Sequence, residues 1–273
     1  MKAHIFDMDG TLLHGTSAPV LVAAALGQPG ALEALEREFA AGTATAVQFA
    51  QRLHTMWGVV TPEVARQAFA AAPVLANIRE VLEDIRRRDE RACLITMSPD
   101  YFAEQFLDFG FHAVFASRFP RDADTPLDES GILNPEDKPR LAARFCAEHG
   151  LTLEDAIAYG DSMSDVFLFE EVGVRVSVNG DHHLAERADI SVEGKDLLPA
   201  YRAARCSSSS GVPDMGISRT ASLRTGGRSS ASASASSTAS PSPPSGQWSS
   251  TVMSAPHSRA AARTASPSIG LSE

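Results

Sequence analysis

The chain has 273 residues, 24 Lys+Arg against 34 Asp+Glu, and a net charge of −10. That balance argues against nucleic-acid binding, which needs concentrated positive charge. Three scattered cysteines, Cys93, Cys146 and Cys206, argue against a disulfide scaffold. No stretch approaches the roughly 18 to 20 apolar residues of a membrane span. Asp7 and Asp9 follow Met1-Lys2 too closely for an apolar signal core. A soluble cytoplasmic protein is expected.

Residues 2–6 read as a short buried strand ending at acids. Helices are predicted over 18–26, 31–41, 45–57 and 62–71, punctuated by Gly27-Gln28-Pro29-Gly30, Gly42 and Gly58. Thr61 followed by Pro62 is a helix start, with Thr as cap and Pro in the first turn. A further helix is predicted over 77–89, where Ile78, Val81, Leu82 and Ile85 recur at three- and four-residue intervals.

Strands and helices then alternate. Strand 92–96, helix 101–109 and strand 113–116 lead into a loop or hairpin over 117–133. Helix 139–148, strand 156–159, helix 165–170, strand 174–178, helix 182–187 and a short strand near Ile190 follow. This rhythm predicts an α/β fold, a Rossmann-like parallel sheet with helices on both faces. The helices between 18 and 71 interrupt it and would form a small all-helical cap after the first strand. The expected division is a core of 1–13 and 74–205, a cap of 14–73, and a tail of 206–273.

The tail is dominated by Ser, Ala, Pro, Thr and Gly and holds five of the 24 basic residues and two of the 34 acids. Residues 1–205 therefore carry 19 basic and 32 acidic residues, a net of −13. The tail has too little apolar surface to offset the entropy of ordering, so disorder is expected from Cys206 onward. Either a flexible extension or a shifted-frame reading of a GC-rich gene would produce such a composition.

Four clusters fall at predicted carboxyl ends of strands, where open α/β sheets bind ligands. In Asp7-Met8-Asp9-Gly10-Thr11 two carboxylates at spacing two project the same way, which is costly unless a cation lies between them. In Thr96-Met97-Ser98-Pro99 a strand-end hydroxyl precedes backbone N–H groups at a helix start, an arrangement that suits phosphate oxygens, although ordinary helix capping would also use it. Lys138 precedes Pro139 and would occupy a helix cap, where a cation opposes the dipole; it is either solvated or placed for an anion. In Gly160-Asp161-Ser162-Met163-Ser164-Asp165 the two acids lie one helical turn apart, although helix capping by Ser162 or Ser164 would also use this pattern. With Asp7 and Asp9 they describe a Mg²⁺ site that retains waters and a phosphate oxygen.

In this order the four clusters closely resemble the haloacid dehalogenase superfamily of phosphohydrolases. The insertion resembles its type 1 cap, and Ile95-Thr96-Met97-Ser98-Pro99 is similar to the phosphoserine-phosphatase-like branch. The resemblance spans about residues 1–200. It implies that Asp7 is the nucleophile forming an aspartyl-phosphate and that Asp9 is the general acid and base. Mg²⁺ would be held by the Asp7 carboxylate, the Asp9 main-chain carbonyl and Asp161, with Asp165 bound directly or through water. Thr96, Lys138 and backbone N–H groups near Met97 would bind the phosphoryl oxygens.

The substrate implied is a small phosphomonoester. Phosphoserine phosphatases carry an amine-binding glutamate nine residues after the nucleophile, where this chain has Thr16. Arg52 matches the carboxylate-binding arginine only across a one-residue gap, and Ser164 would lie close to substrate. Without the acid, the cap offers no evident partner for an amine, so phosphoserine stands as one candidate beside sugar, amino-alcohol and nucleoside phosphates.

Among the remaining residues, His14 is either near substrate or solvated, and His182-His183 reads as surface. Phe39, Phe49, Met56 and Trp57 read as the cap's own core, Arg86-Arg87-Arg88 as a solvated helix end, and Cys93 as packing. A phosphotransferase or mutase on the same site, or an inactive binding scaffold, are the alternatives.

Overall fold

The computed structural model describes residues 1–209 and the backbone of 223–224. Seven strands form one parallel sheet: β1 (Ala3–Phe6), β2 (Arg91–Pro99), β3 (Ala113–Ser117), β4 (Ala156–Gly160), β5 (Val174–Val178), β6 (Ile190–Glu193) and the two-residue β7 (Leu223–Arg224). Their order is β3-β2-β1-β4-β5-β6-β7. β1 pairs β2 through Ala3 with Arg91, and β4 through Ala3 with Ala156. The chain winds outward in both directions from β1, so a crevice opens where the order reverses, between β1 and its neighbours.

Strand alternation divides the core in two. His4, Phe6, Leu94, Ile157 and Tyr159 are buried against one layer of helices, while Ala3, Ile5, Cys93, Ile95 and Ala158 are buried against another. The first layer contains α5 (Ile78–Arg87), whose buried residues are Ile78, Val81, Leu82 and Ile85, and α10 (Leu198–Ser209). The second contains α7 (Asp137–Glu148) and α8 (Val166–Phe169). This is the expected Rossmann-like α/β sheet covered on both faces.

Between β1 and α5 lie α1 (Ala18–Ala25), α2 (Glu33–Ala40), α3 (Ala46–Trp57) and α4 (Pro62–Ala70). Thr45 and Gln48 form a reciprocal capping box on α3, and the Thr61 hydroxyl accepts from the Val64 N–H with Pro62 in the first turn of α4. No helix among the described residues is long and apolar enough to cross a membrane.

Several boundaries differ from the sequence reading. The predicted helix 101–109 is α6 (Asp100–Ala103) followed by a tighter 3₁₀ turn over Glu104–Phe109. Residues 117–133 hold only a 3₁₀ turn, Glu129–Gly131, and no hairpin. α9 (His182–Ala185) is shorter than expected. α10 was not foreseen and carries Cys206–Ser209 into a helix, because Ala200, Tyr201 and Ala204 bury on the sheet. The remainder of the disorder expected for 206–273, apart from β7, lies outside the described residues.

Candidate active site

The acids sit where the backbone leaves the sheet. The Asp7 N–H donates to the Tyr159 carbonyl at 2.9 Å, tying the end of β1 to β4. Gly10, at φ +76°, turns the chain immediately afterwards. A Cβ on Gly10 would overlap the Asp161 carboxylate, and one on Gly160 would overlap Asp165. Both glycines are therefore space for carboxylates, and Gly10 is a turn residue as well.

Asp7, Asp161 and Asp165 each offer a carboxylate oxygen, and these atoms lie within 4.8 Å of one another. Asp161 Oδ1 is buried with no hydrogen-bond partner among the described residues. Asp165 Oδ2 accepts from the backbone N–H of Asp161 at 3.1 Å and of Ser162 at 3.4 Å. Ser162 and Asp165 thus form a capping box, and Asp165 joins the cluster from a 3₁₀ turn, Met163–Asp165. Hard carboxylate oxygens with one orphaned atom fit a divalent cation such as Mg²⁺.

Electrostatics carry the same message. Burial pushes the Asp7 carboxyl up to about 7, with Lys138 opposing and Asp165 and Asp9 adding repulsion. Burial pushes Asp161 up to about 9, reinforced by Asp7 and Asp165. Both shifts favour the protonated acids over two further uncompensated charges beside Lys138.

Lys138 lies in the first turn of α7, not at its cap, which is Glu136. The first turn is instead secured by Asp137, whose Oδ2 accepts from the Asn134 N–H at 2.9 Å. Lys138 Nζ, buried, donates to Asp7 Oδ1 at 2.8 Å, Asp165 Oδ1 at 2.6 Å and Ser164 Oγ at 3.2 Å. Burial disfavours its charge, but the two carboxylates outweigh that and hold the ammonium protonated. The solvated alternative is thereby excluded.

Asp9 is held differently. Its Oδ1 accepts from the Ala18 N–H at 2.6 Å and its Oδ2 from the Thr96 hydroxyl at 3.2 Å. Ala18 begins α1, so Asp9 satisfies one of the orphan N–H donors of that helix's first turn. Burial raises the Asp9 carboxyl above its ordinary range, opposed by bonds from Ser98, Ala18 and Thr96. Thr96 Oγ1 also accepts from the Ser98 N–H at 3.1 Å, and the Met97 carbonyl accepts from Ser117 Oγ at 2.6 Å.

A cavity of about 240 Å³ opens over these groups. Its floor includes Asp7, Asp9, Thr96, Met97, Lys138 and Ser164. α3 contributes Ala46, Phe49, Ala50 and Leu53, one stripe at helical spacing, and α2 contributes Glu36 and Phe39. Thr16 is not among the lining residues; its carbonyl accepts from the Gly10 N–H at 3.3 Å. Arg52 lies off the α3 stripe, exposed, and its guanidinium bonds Glu38 at 2.5 Å. His14 lines nothing here, and the His182 and His183 rings are exposed.

Two readings are corrected. Phe39 and Phe49 line the cavity as well as packing on the core, while Met56 is exposed. The cavity wall does carry an acid, Glu36 on α2, which sequence reasoning missed. Its signal is its position: Glu36 lies four residues after Leu32 and three before Phe39, on the inward apolar face of α2.

The model of the haloacid dehalogenase-like hydrolase family matches residues 5–170. The chain belongs to that family. It is similar to the phosphoserine phosphatase of Methanocaldococcus jannaschii, 22% identical over 199 residues, covering 72% of this chain and 94% of the relative. It is 19% identical over 197 residues to the phosphoserine phosphatase of Archaeoglobus fulgidus, covering 71% of this chain but only 57% of that one. The structure of a substrate-bound phosphoserine phosphatase complex shares the fold, with a TM-score of 0.63, 20% identity, and coverage of 74% of this chain and 97% of the other. The chain is thus a phosphatase of this family, related to the phosphoserine phosphatases.

Proposed function

We propose that the chain is a Mg²⁺-dependent phosphomonoesterase of a small phosphorylated metabolite, working through a phosphoryl group carried on Asp7. The observation that carries this reading is the convergence of Asp7, Asp161 and Asp165 on one point beside Lys138, under a cavity that also admits Asp9 and Thr96. In it, residues 14–73 act as a cap over a core of 1–13 and 74–205, walling the cavity from above.

Asp7 attacks phosphorus through a carboxylate oxygen, and the bond from phosphorus to the ester oxygen breaks. Asp9, whose burial favours the protonated acid, gives its proton to the departing alkoxide. The Asp9 carboxylate then takes a proton from water as that water attacks phosphorus. Asp7 is released as a carboxylate, inorganic phosphate leaves, and Asp9 is again protonated. Thr96, Lys138 and the Met97 backbone N–H would hold the phosphoryl oxygens as charge redistributes. Mg²⁺, held by Asp7, Asp161, Asp165 and the Asp9 carbonyl, would supply Lewis-acid neutralisation of that charge.

The test is release of inorganic phosphate from para-nitrophenyl phosphate. Turnover that needs Mg²⁺ and is abolished by Asp7→Asn is expected; turnover that survives either change contradicts the reading.

A further inference from the structure

The charges that face the cavity are unequal. Among the described lining residues the acids are Asp7, Asp9 and Glu36, and the only base is Lys138, already bonded to Asp7 and Asp165. Glu36 is the one charge on the cap side. It is half-buried, and Ser17 Oγ donates to its Oε1 at 2.9 Å. Ser17, free of capping duty, therefore holds this carboxylate at the cavity, and no described cation pairs with it.

Beside Glu36 stand Phe39 and Phe49, with ring centroids 5.2 Å apart and planes inclined at 56°. Both rings line the cavity. A carboxylate with two aromatic rings is the environment that favours an ammonium or alkylammonium group. A carboxylate on the substrate would find no free base among those lining residues and would face Glu36, an arrangement that costs binding.

We propose that Glu36 is the specificity-determining residue and that the substrate is an aminoalkyl phosphomonoester: phosphate at one end, a cationic amine at the other, and no carboxylate. This rests on the phosphatase reading above and narrows it. The cap then selects by charge sign: the amine docks on Glu36 beside the packed rings of Phe39 and Phe49 while the phosphate lies over Asp7. Ser17 is a positioning residue that orients Glu36 through its hydroxyl.

The experiment compares kcat/KM for O-phosphoethanolamine, ethyl phosphate and O-phosphoserine, with para-nitrophenyl phosphate as the control for turnover. The full chain should prefer O-phosphoethanolamine to ethyl phosphate by about 10- to 100-fold, the range of one charge-assisted hydrogen bond. Glu36→Gln should remove most of that preference, through KM more than kcat. Ser17→Ala should reduce it less. Glu36→Lys should move the preference toward O-phosphoserine, which provides a second readout if Glu36→Gln folds poorly. Hydrolysis of para-nitrophenyl phosphate with O-phosphoserine preferred, or a preference unchanged in Glu36→Gln, overturns this inference alone. No turnover of any substrate, para-nitrophenyl phosphate included, overturns the phosphatase reading beneath it.

Discussion

Replacing Lys138 with Met preserves side-chain bulk but removes the only ammonium between Asp7 and Asp165, which it meets at 2.8 and 2.6 Å. The lysine is 1% exposed, so water cannot take its place freely. Breaking a buried ion pair from one side costs about 3–5 kcal/mol, because the remaining charge is left uncompensated. For a domain of this size that is a fall in melting temperature of roughly 6–20 °C, at about 2–4 °C per kcal/mol. The carboxylates can relieve part of the loss by taking up protons, so the fall should be smaller at pH 6 than at pH 8. Mg²⁺ should recover part of it at pH 8 by supplying another cation. Thermal unfolding of Lys138→Met and the parent, at both pH values with and without Mg²⁺, is the assay. A shift below about 2 °C at pH 8 would mean that the acids are solvated and the reasoning is wrong.

Three further outcomes follow from the same geometry. The acids Asp7 and Asp161 have folded pKa values raised to about 7 and about 9, so the folded state binds more protons than the unfolded one above the ordinary carboxylate range. Metal-free stability should therefore fall as pH rises toward 9, and Mg²⁺ should bind more tightly over the same window with proton release; chemical denaturation and calorimetry across pH 5–9 check both signs. Gly10→Ala places a methyl group against the Asp161 carboxylate at φ +76° and should cost about 1–3 kcal/mol in stability together with a loss of Mg²⁺ affinity, measured by unfolding and calorimetry. Asp9→Asn should lower kcat by about 10²- to 10⁴-fold with much less effect on inhibition by inorganic phosphate; equal losses would contradict proton transfer by this residue.

The sheet and the acids were legible because their signals are local. An apolar run ending in Asp7-Met8-Asp9-Gly10 marks a strand leaving a core, and the alternation of apolar strands with helical stripes dictates a parallel sheet. α5 was legible from Ile78, Val81, Leu82 and Ile85, all buried on one face. What failed depended on tertiary contacts. The position of Lys138 within α7 rests on the bond from the Asn134 N–H to Asp137, which the rule favouring Pro at the first helical position did not anticipate. α10 was missed because its polar residues mask Ala200, Tyr201 and Ala204, and only the sheet gives those three a place to bury. Arg52 and Glu36 exchanged prominence for the same reason. Motif alignment points to the arginine, yet helix phase turns it outward and turns the glutamate in.

The central claim is that Asp7 carries the phosphoryl group between two half-reactions. Its most direct test is acid quench of the enzyme during steady-state turnover of para-nitrophenyl phosphate with Mg²⁺, followed by peptide mass mapping. A phosphoryl group on the Asp7 peptide, absent from Asp7→Asn, is the predicted result. Phosphate release at full rate with that peptide unmodified, or with the group on another residue, would contradict the account.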